Sequence, residues 1–115
     1  MAARDENAYV VVFTTLPSVD EGRRFVRGLV EDRVAACGTV LPGATSVYWW
    51  QGKIEETSEV QVVLKTRRER WTELERAVQE RHPYDVPELL AMPVEAGLSA
   101  YLDWINAEPS DGTPP

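Results

Sequence analysis

Two side chains in this sequence are of the types that bind transition metals most strongly. His82 is the only histidine and Cys37 the only cysteine of the 115 residues. A neutral imidazole is the usual nitrogen ligand of Cu(II) and Zn(II), and a thiolate is a strong soft ligand for Cu(I). Each also has a structural interpretation. His82 can cap a helix end and pack under Tyr84, and a free cysteine among apolar strand residues is often buried. The sequence leaves both interpretations open.

A carboxylate and an amine on one predicted strand form a second candidate group. Glu59 and Lys65 are six residues apart, so their side chains share a face of the strand and lie about 20 Å apart at ~3.3 Å per residue. They either bracket a polar ligand pocket or take part in an ion-pair network at an interface. Both possibilities stay open at this point.

No catalytic pattern accompanies these residues. The glycines lack the spacing of either nucleotide-binding fingerprint, and no Ser-His-Asp ordering is present. A catalytic metal normally needs about three protein ligands, and the sequence offers no convincing trio. We therefore predict that the protein is not an enzyme and needs no organic cofactor.

The overall composition narrows the class of protein. The chain is 43% hydrophobic and 27% charged, which suits one folded domain with a packed core. A net charge of −7 without a long basic run argues against a nucleic-acid partner. The single cysteine, the polar residues 1–8 and the absence of an apolar stretch of ~18 residues predict a cytoplasmic protein without a membrane span.

The first half of the chain predicts the strands and the helix that must position these side chains. Residues 9–15 are β-branched and aromatic, which favours a strand covered on both faces. Ser18 and Glu21 match a capping box, and apolar residues at helical spacing then predict a helix over residues 19–34. A long bent hairpin follows: a strand over 36–41 and 44–50 broken at Pro42-Gly43, a tight turn at Gln51-Gly52, and a return over 53–56 and 59–66.

The second half predicts one more helix-strand pair and a terminal helix. Thr66 and Glu69 match a second capping box, and an apolar stripe continues to about Arg81, where His82-Pro83 stops the helix. Residues 88–94 predict a strand. Apolar residues at i, i+3, i+4 and i+7 predict a short helix over 98–105.

This order of elements is β-α-β-β-α-β plus a C-terminal helix, which predicts an α+β ferredoxin-like sandwich with an antiparallel sheet. Right-handed crossovers place both long helices on one face of that sheet. Strands such as residues 47–50 are nevertheless apolar on both faces, so something must cover the other face. We therefore predict a homo-oligomer in which the hairpin around Tyr48, Trp49 and Trp50 is a contact surface.

Several motifs occur in an order typical of one family. They are an AAC before a bent strand, an SxYxWxGK hairpin, a glutamate followed by KT, and HPYxxPE, within residues 35–66 and 82–94, followed by YLDWI at 101–105. On these motifs the sequence resembles the CutA divalent-ion tolerance family over about residues 9–106.

The resemblance implies a ferredoxin-like subunit in a tight homotrimer, with neighbouring hairpins pairing edge to edge, and a role in tolerance of divalent cations, above all copper. By position it makes His82, Cys37 and Glu59 the candidate ligands of Cu(II) or another divalent cation. Some members carry a cysteine and a second histidine where this sequence has Thr14 and Arg81, which are poor copper ligands.

The resemblance also matches Tyr48, Trp50, Lys65 and Tyr84 to family positions that could meet in a cleft between subunits. Two functions follow. The first is a trimeric divalent-cation tolerance protein. The alternative is a non-catalytic trimeric small-molecule-binding or signalling module that takes an anionic ligand in this cleft. The predicted organisation is a flexible N-terminus (1–8), one domain (9–107) and a disordered tail (108–115).

Overall fold

A computed structural model of the chain describes residues 8–107. The predicted disordered tail, and all of the predicted flexible N-terminus except residue 8, lie outside this range. The elements, in chain order, are β1 (Tyr9–Leu16), α1 (Val19–Glu31), β2 (Cys37–Trp50), β3 (Lys53–Arg67), a 3-10 turn (Arg68–Arg70), α2 (Trp71–Arg81), β4 (Leu90–Pro93) and α3 (Ser99–Ala107).

The four strands form one antiparallel sheet in the order β2-β3-β1-β4. The predicted ferredoxin-like α+β sandwich is confirmed. Alternate residues of β1 and β3, such as Val12 and Leu64, pack with Leu29 of α1 and Leu74 of α2 in a closed core. Burial of a leucine side chain of this kind stabilises the fold by about 1.5–3 kcal/mol.

The sheet face turned away from α1 and α2, which we call the open face, is only partly covered. Helix α3 covers one end, where Leu102 and Ile105 pack against Tyr9 and Ala36. The rest carries half-buried or exposed apolar side chains, namely Val11, Phe13, Leu41, Val63, Leu90 and Met92. Among residues 8–107 no helix is long and apolar enough to cross a membrane.

The β2-β3 hairpin extends beyond the body and gives the subunit an elongated outline of 55 × 26 × 25 Å. Gln51 and Gly52 both have positive φ (49° and 81°), which is the two-residue turn that suits the twist of a hairpin. Val47, Trp49 and Ile54 share the other face of this extension and are exposed, Trp49 by 72%. We call these three residues the hairpin surface.

The predicted break in β2 is a bulge within one continuous strand. Leu41 lies opposite Gln61 and Ala44 opposite Glu59, so β2 advances three residues while β3 advances two. Gly43 supplies the positive φ of 85° that the bulge requires. The predicted interruption of β3 at residues 57 and 58 is also wrong, because both pair with β2 in an unbroken ladder.

The helix boundaries differ from those predicted in two places. Helix α1 ends at Glu31 rather than near residue 34, because Arg33 adopts a positive φ of 62° and the N–H groups of Arg33 and Val34 bond back to Val30 and Leu29. The predicted capping box at Thr66 and Glu69 is wrong. Thr66 is a buried residue of β3 whose hydroxyl donates to the Val34 carbonyl at 2.9 Å.

The start of α1 is as predicted, whereas β4 and α3 differ in length from their predicted extents. The Ser18 hydroxyl accepts a hydrogen bond from the Glu21 N–H at 3.2 Å, as predicted. Strand β4 is limited to four residues because it pairs with β1 only from Val10 to Phe13. Helix α3 runs to Ala107, two residues further than predicted.

Candidate functional site

A compact group of polar side chains lies where β1 ends and the chain leaves α2. We call it the polar cluster, and its members are Thr15 of β1, Ser46 of β2, Glu59 of β3, and His82 and Tyr84 after α2. The sheet brings the first three together because all three side chains point to the open face. This follows from the register, in which Thr15 lies opposite Gln61 and Ser46 opposite Thr57.

Glu59 is the centre of the cluster. Its Oε2 accepts a hydrogen bond from the Tyr84 hydroxyl at 2.6 Å, and the hydroxyls of Ser46 and Thr15 lie near the same carboxylate. Partial burial acts to raise the pKa of Glu59, but these three hydroxyls, with a smaller contribution from His82, hold the pKa below its ordinary value. The side chain is therefore a carboxylate at neutral pH.

His82 is 8% exposed and uses both ring nitrogens. The Tyr84 backbone N–H donates to Nδ1 at 3.1 Å, and Nε2 lies 2.7 Å from the Thr15 carbonyl oxygen. A carbonyl oxygen can only accept, so the network assigns the proton to Nε2 and leaves Nδ1 as an acceptor. The imidazole is thus held as one neutral tautomer.

Burial supports the same protonation state. Desolvation lowers the pKa of His82 below its ordinary value, while the Thr15 carbonyl and the carboxylates of Glu59 and Glu21 oppose this only in part. The ring also packs edge-on against Phe25, with centroids 5.4 Å apart, and against the Tyr84 ring at 4.9 Å. His82 is a neutral, enclosed side chain at pH 7.

The fold explains why His82 meets Thr15. Strand β4 pairs with β1 no further than Phe13, so the backbone of Thr15 has no strand partner on that side. The His82 imidazole, in place of a strand N–H group, forms the hydrogen bond to the Thr15 carbonyl. Pro83 keeps His82 in an extended conformation, with φ −72° and ψ 137°, and so ends α2 where the ring can reach β1.

Tyr84 links the turn after α2 to the sheet. Burial raises the pKa of its phenol well above the ordinary value, and the hydrogen bond to Glu59 raises it further. The phenol is therefore protonated at any physiological pH and acts as a donor to the carboxylate.

Cys37 does not belong to the polar cluster. It lies opposite Lys65, six residues from Glu59 along β3, which corresponds to about 20 Å. Its Sγ is 3.5 Å from the Tyr101 hydroxyl of α3. Burial raises the pKa of Tyr101 to about 12, with a further contribution from Cys37. Of the three predicted cation ligands, a single chain therefore brings together Glu59 and His82 only.

Within one chain the four predicted cleft residues are not all brought together, although Tyr48 is close enough to Tyr84 to interact with it electrostatically. Tyr48 and Trp50 are on the hairpin extension, where the Tyr48 hydroxyl accepts a hydrogen bond from Thr57 at 3.3 Å. Tyr84 is in the polar cluster, and Lys65 is at the far end of β3. Their meeting in a cleft between subunits stays a prediction.

The two positions at which ligands were expected to be missing have other partners. The Thr14 hydroxyl is buried 3.4 Å from Nε2 of His82. The Arg81 guanidinium forms an ion pair with Asp32 at the end of α1 and lies over Gly28. Within residues 8–107 no three His, Cys, Asp or Glu side chains are grouped closely enough to hold a metal ion.

A large groove lies elsewhere on the described part of the chain. It is an open groove of about 820 Å³ between α1 and the edge strand β2, lined by residues that include Arg23, Arg27, Cys37 and Val40. It contains none of the polar-cluster residues and none of the four predicted cleft residues. Glu59 is half-buried, so the cluster around it forms part of the surface.

Thr15 and Ser46 are the functional residues that the sequence did not predict. Strand alternation places Thr15 on one face of β1, but the partner across the sheet depends on register. Ser46 reaches the open face only because the bulge at Pro42-Gly43 adds one residue to β2. The Pro-Gly pair was the one available signal for this shift.

Comparisons with known proteins agree on one family. Residues 10–108 match the family model described as CutA1 divalent ion tolerance protein. The divalent-cation tolerance protein CutA of Pectobacterium atrosepticum is 46% identical over 98 residues, which is 85% of this chain and 89% of that protein.

Solved structures give the same result. CutA of Xylella fastidiosa superposes with a TM-score of 0.85 at 42% identity, over 88% of this chain and 97% of that one. A protein of Archaeoglobus fulgidus, described as a periplasmic divalent cation tolerance protein CutA, superposes with a TM-score of 0.84 at 37% identity, over 87% and 97% of the two chains.

Proposed function

The chain belongs to the CutA1 divalent ion tolerance protein family, and from that premise we propose that it acts in divalent-cation tolerance as a homotrimer. The observation that carries the proposal is the Glu59 carboxylate, which accepts a hydrogen bond from Tyr84 and lies near two further hydroxyls, on a sheet face that one subunit leaves partly uncovered. Glu59 is proposed to contact the cation, and a neighbouring subunit completes the site.

The uncovered apolar surface supports self-association. On the open face Leu90 and Met92 are 60% and 56% exposed, and on the hairpin extension Ile54 is 62% exposed. Exposed apolar groups grouped in this way mark interaction surfaces. In addition, the outer edge of the 14-residue strand β2 has no strand beside it within the described chain, and such an edge favours pairing with another strand.

The arrangement of these surfaces favours a closed ring. The hairpin surface and the open face lie on different parts of the subunit, so contact of one with the other can run head-to-tail from subunit to subunit. A head-to-tail contact closes into a ring when the rotation per subunit is right, and the family resemblance suggests three subunits. No nucleic acid or membrane takes part in this assembly.

Sedimentation equilibrium tests the assembly. We expect the intact chain to have three times its mass of 12.9 kDa and the Ile54→Lys variant to dissociate, since a charge would have to be buried at the contact. Val19→Lys replaces an exposed apolar residue on α1, away from the hairpin surface, and should leave the mass unchanged. A monomeric wild-type chain at micromolar concentration would contradict the proposal.

The cation contact is argued from the charge and exposure of Glu59. It is the only acidic residue of the polar cluster, it is ionised, and its hydroxyl partners can also offer oxygen atoms to a cation. One carboxylate with hydroxyls is too small a donor set for tight binding, since divalent ions usually take several charged or nitrogen ligands. The site therefore needs donors from a second subunit, and Cys37 of a neighbour is one candidate.

A titration with Cu(II) in the presence of a weak competing chelator tests this contact. We expect saturable binding, at one ion per subunit or per trimer, that weakens at least tenfold in Glu59→Gln. Glu56→Gln removes a carboxylate from the opposite face of β3 and serves as the matched control. Equal binding by all three proteins would show that Glu59 is not the contact, and the same series with Zn(II) and Mn(II) would identify the preferred ion.

The alternative function, binding of a small anion through Lys65, Trp50 and Tyr84, has less support. Tyr84 donates its hydroxyl proton to Glu59, and a carboxylate at that point repels anions. An anionic ligand whose binding is lost in Lys65→Ala but unaffected by chelators would favour this alternative over cation binding.

We further propose that the protein acts in the cytoplasm. The single cysteine is consistent with a reducing compartment. Cell fractionation with an antibody to the native protein tests this, and recovery in a secreted or periplasmic fraction would contradict it.

A further inference from the structure

We infer that His82 is a positioning residue in this protein and not a cation ligand. It fixes the turn that carries Tyr84, and through Tyr84 it sets the place of the Glu59 carboxylate. The inference concerns the site proposed above. The statement about cation binding rests on the proposed role of Glu59. The statement that His82 positions Tyr84 does not.

The first argument is that His82 has no free lone pair. The lone pair of Nδ1 is directed to the Tyr84 N–H at 3.1 Å, and Nε2 carries the proton that it donates to the Thr15 carbonyl at 2.7 Å. A metal ion could bind only by displacing one of these partners. Either displacement leaves a polar backbone group unsatisfied beside a ring that is 8% exposed, which is unfavourable.

The second argument is the chemistry of the surroundings of Nε2. Its polar neighbours are the Thr14 hydroxyl at 3.4 Å and the Thr15 carbonyl. Its other ring contacts are with Phe25 and Tyr84. Neutral oxygen atoms and aromatic rings are weak partners for Cu(II) or Zn(II), which prefer additional imidazole, thiolate or carboxylate ligands. The ion that the family name implies therefore does not fit at this ring.

The third argument is what the ring does hold. The Tyr84 N–H to Nδ1 bond closes a turn of three residues over Pro83, and the Tyr84 ring packs on the imidazole at 4.9 Å. From this turn the Tyr84 hydroxyl reaches Glu59 at 2.6 Å. Thr15 is near both residues, because its carbonyl accepts from His82 and its hydroxyl lies near Glu59.

Nitrogen NMR of the wild-type assembly is the first test. Because His82 is the only histidine, its two ring nitrogens give an unambiguous pair of signals. We expect the pattern of a neutral ring protonated at Nε2, and we expect it to persist when Zn(II), a diamagnetic probe, is added to saturation. The opposite tautomer, or a large shift of either nitrogen on addition of Zn(II), would overturn the inference.

A pair of variants is the second test. In His82→Asn the amide oxygen stands near the position of Nδ1 and can still accept from Tyr84, whereas His82→Ala offers no acceptor. Hydrogen exchange at the Tyr84 amide should quicken by about tenfold in the alanine variant, the equivalent of one lost hydrogen bond, and much less in the asparagine variant. Equal exchange in the two variants would contradict the positioning role.

Cation binding by the same variants separates this inference from the proposed function. If His82 positions Glu59, His82→Asn should bind Zn(II) within a few-fold of wild type. If His82 is a ligand, both variants should lose binding as completely as Glu59→Gln. Absence of Zn(II) binding to wild type would count against the proposed function alone, since the tautomer and the Tyr84 exchange are measured without a cation.

Discussion

At the residue scale, the main finding is that one enclosed imidazole and one carboxylate belong to one hydrogen-bond network, which Tyr84 joins. The residue types alone indicated that His82 and Glu59 are the chemically interesting positions. The tautomer could not be predicted from the sequence, because it depends on the Thr15 carbonyl that the short strand β4 leaves without a partner. Long-range geometry of this kind has no local signal.

The lowered pKa of His82 predicts a pH dependence of stability. The unfolded chain takes up a proton on His82 below its ordinary pKa of 6.5, while the folded chain resists protonation until a lower pH. More protons are then bound in the unfolded state, so the free energy of unfolding falls as the pH drops from about 6.5 through the folded pKa. Urea midpoints at fixed protein concentration from pH 7.5 to 5 measure this.

His82→Asn is the control for this prediction, and its urea midpoint should change little over the same range because no other side chain of the sequence has an ordinary pKa between pH 5 and 7.5. Glu59 acts in the same direction at lower pH. Its pKa is lowered on folding, so its contribution is present above its ordinary pKa of 4.5 and is lost as the pH falls through its folded pKa.

The Tyr84 hydroxyl is expected to stabilise the fold. Tyr84→Phe removes the 2.6 Å donor to a carboxylate and should lower the free energy of unfolding by about 1–2 kcal/mol. Tyr48→Phe is the matched control, because the hydrogen bond of that hydroxyl is to the exposed Thr57 at 3.3 Å, and this substitution should be nearly neutral. Equal effects of the two substitutions in urea unfolding would mean that Tyr84 is not a structural anchor.

At the element scale, local chemistry predicted the helices and strands well and the pairing between them less well. Ser18 begins α1 as its type predicts, because its capping bond is local to one turn. Thr66 matched the same pattern, but its hydroxyl donates to Val34, 32 residues away. Tertiary structure overrides the local pattern at Thr66. Nothing in the sequence alone distinguishes Thr66 from Ser18 as a helix cap.

The end of α1 offers a test of backbone strain. Arg33 has a φ of 62° at the position after the helix where glycine is preferred. Arg33→Gly should therefore raise the free energy of unfolding by a few tenths to about 1 kcal/mol, since a side chain other than glycine costs about 1–2 kcal/mol in this conformation and part of the gain is lost to unfolded-state entropy. Thermal or urea unfolding measures the change.

Gly43→Ala tests the same physics in the opposite direction. Gly43 has a φ of 85°, and an added Cβ would meet no atom within 4 Å, so any loss of stability comes from the backbone alone. We expect a loss of about 1 kcal/mol. An unchanged free energy of unfolding in both Arg33→Gly and Gly43→Ala would argue that positive φ is not a source of strain at either site.

At the scale of the whole molecule, the ferredoxin-like order of elements was predictable because each element has its own periodicity and the handedness of crossovers leaves few arrangements. The expectation of a partner follows from strands that are apolar on both faces, and it stays a prediction. The length of the hairpin extension, and the bulge that sets which side chains share a sheet face, depend on strand register and could not be predicted.

Assembly predicts that thermal stability depends on concentration. If folding is coupled to subunit association, the unfolding midpoint of the wild-type chain should fall by a few degrees on tenfold dilution, because dilution favours the separated state. The Ile54→Lys variant should show a lower midpoint that is independent of concentration. A wild-type midpoint that does not change over a hundredfold range would contradict assembly.

The central claim is that a divalent cation meets this protein at Glu59 and not at His82, and anomalous X-ray scattering from crystals soaked in Zn(II) tests it most directly. The account predicts a peak about 2.0–2.2 Å from a Glu59 carboxylate oxygen, with a neighbouring subunit supplying further ligands and with Nε2 of His82 still on the Thr15 carbonyl. A peak bonded to His82, or none near Glu59, would contradict it.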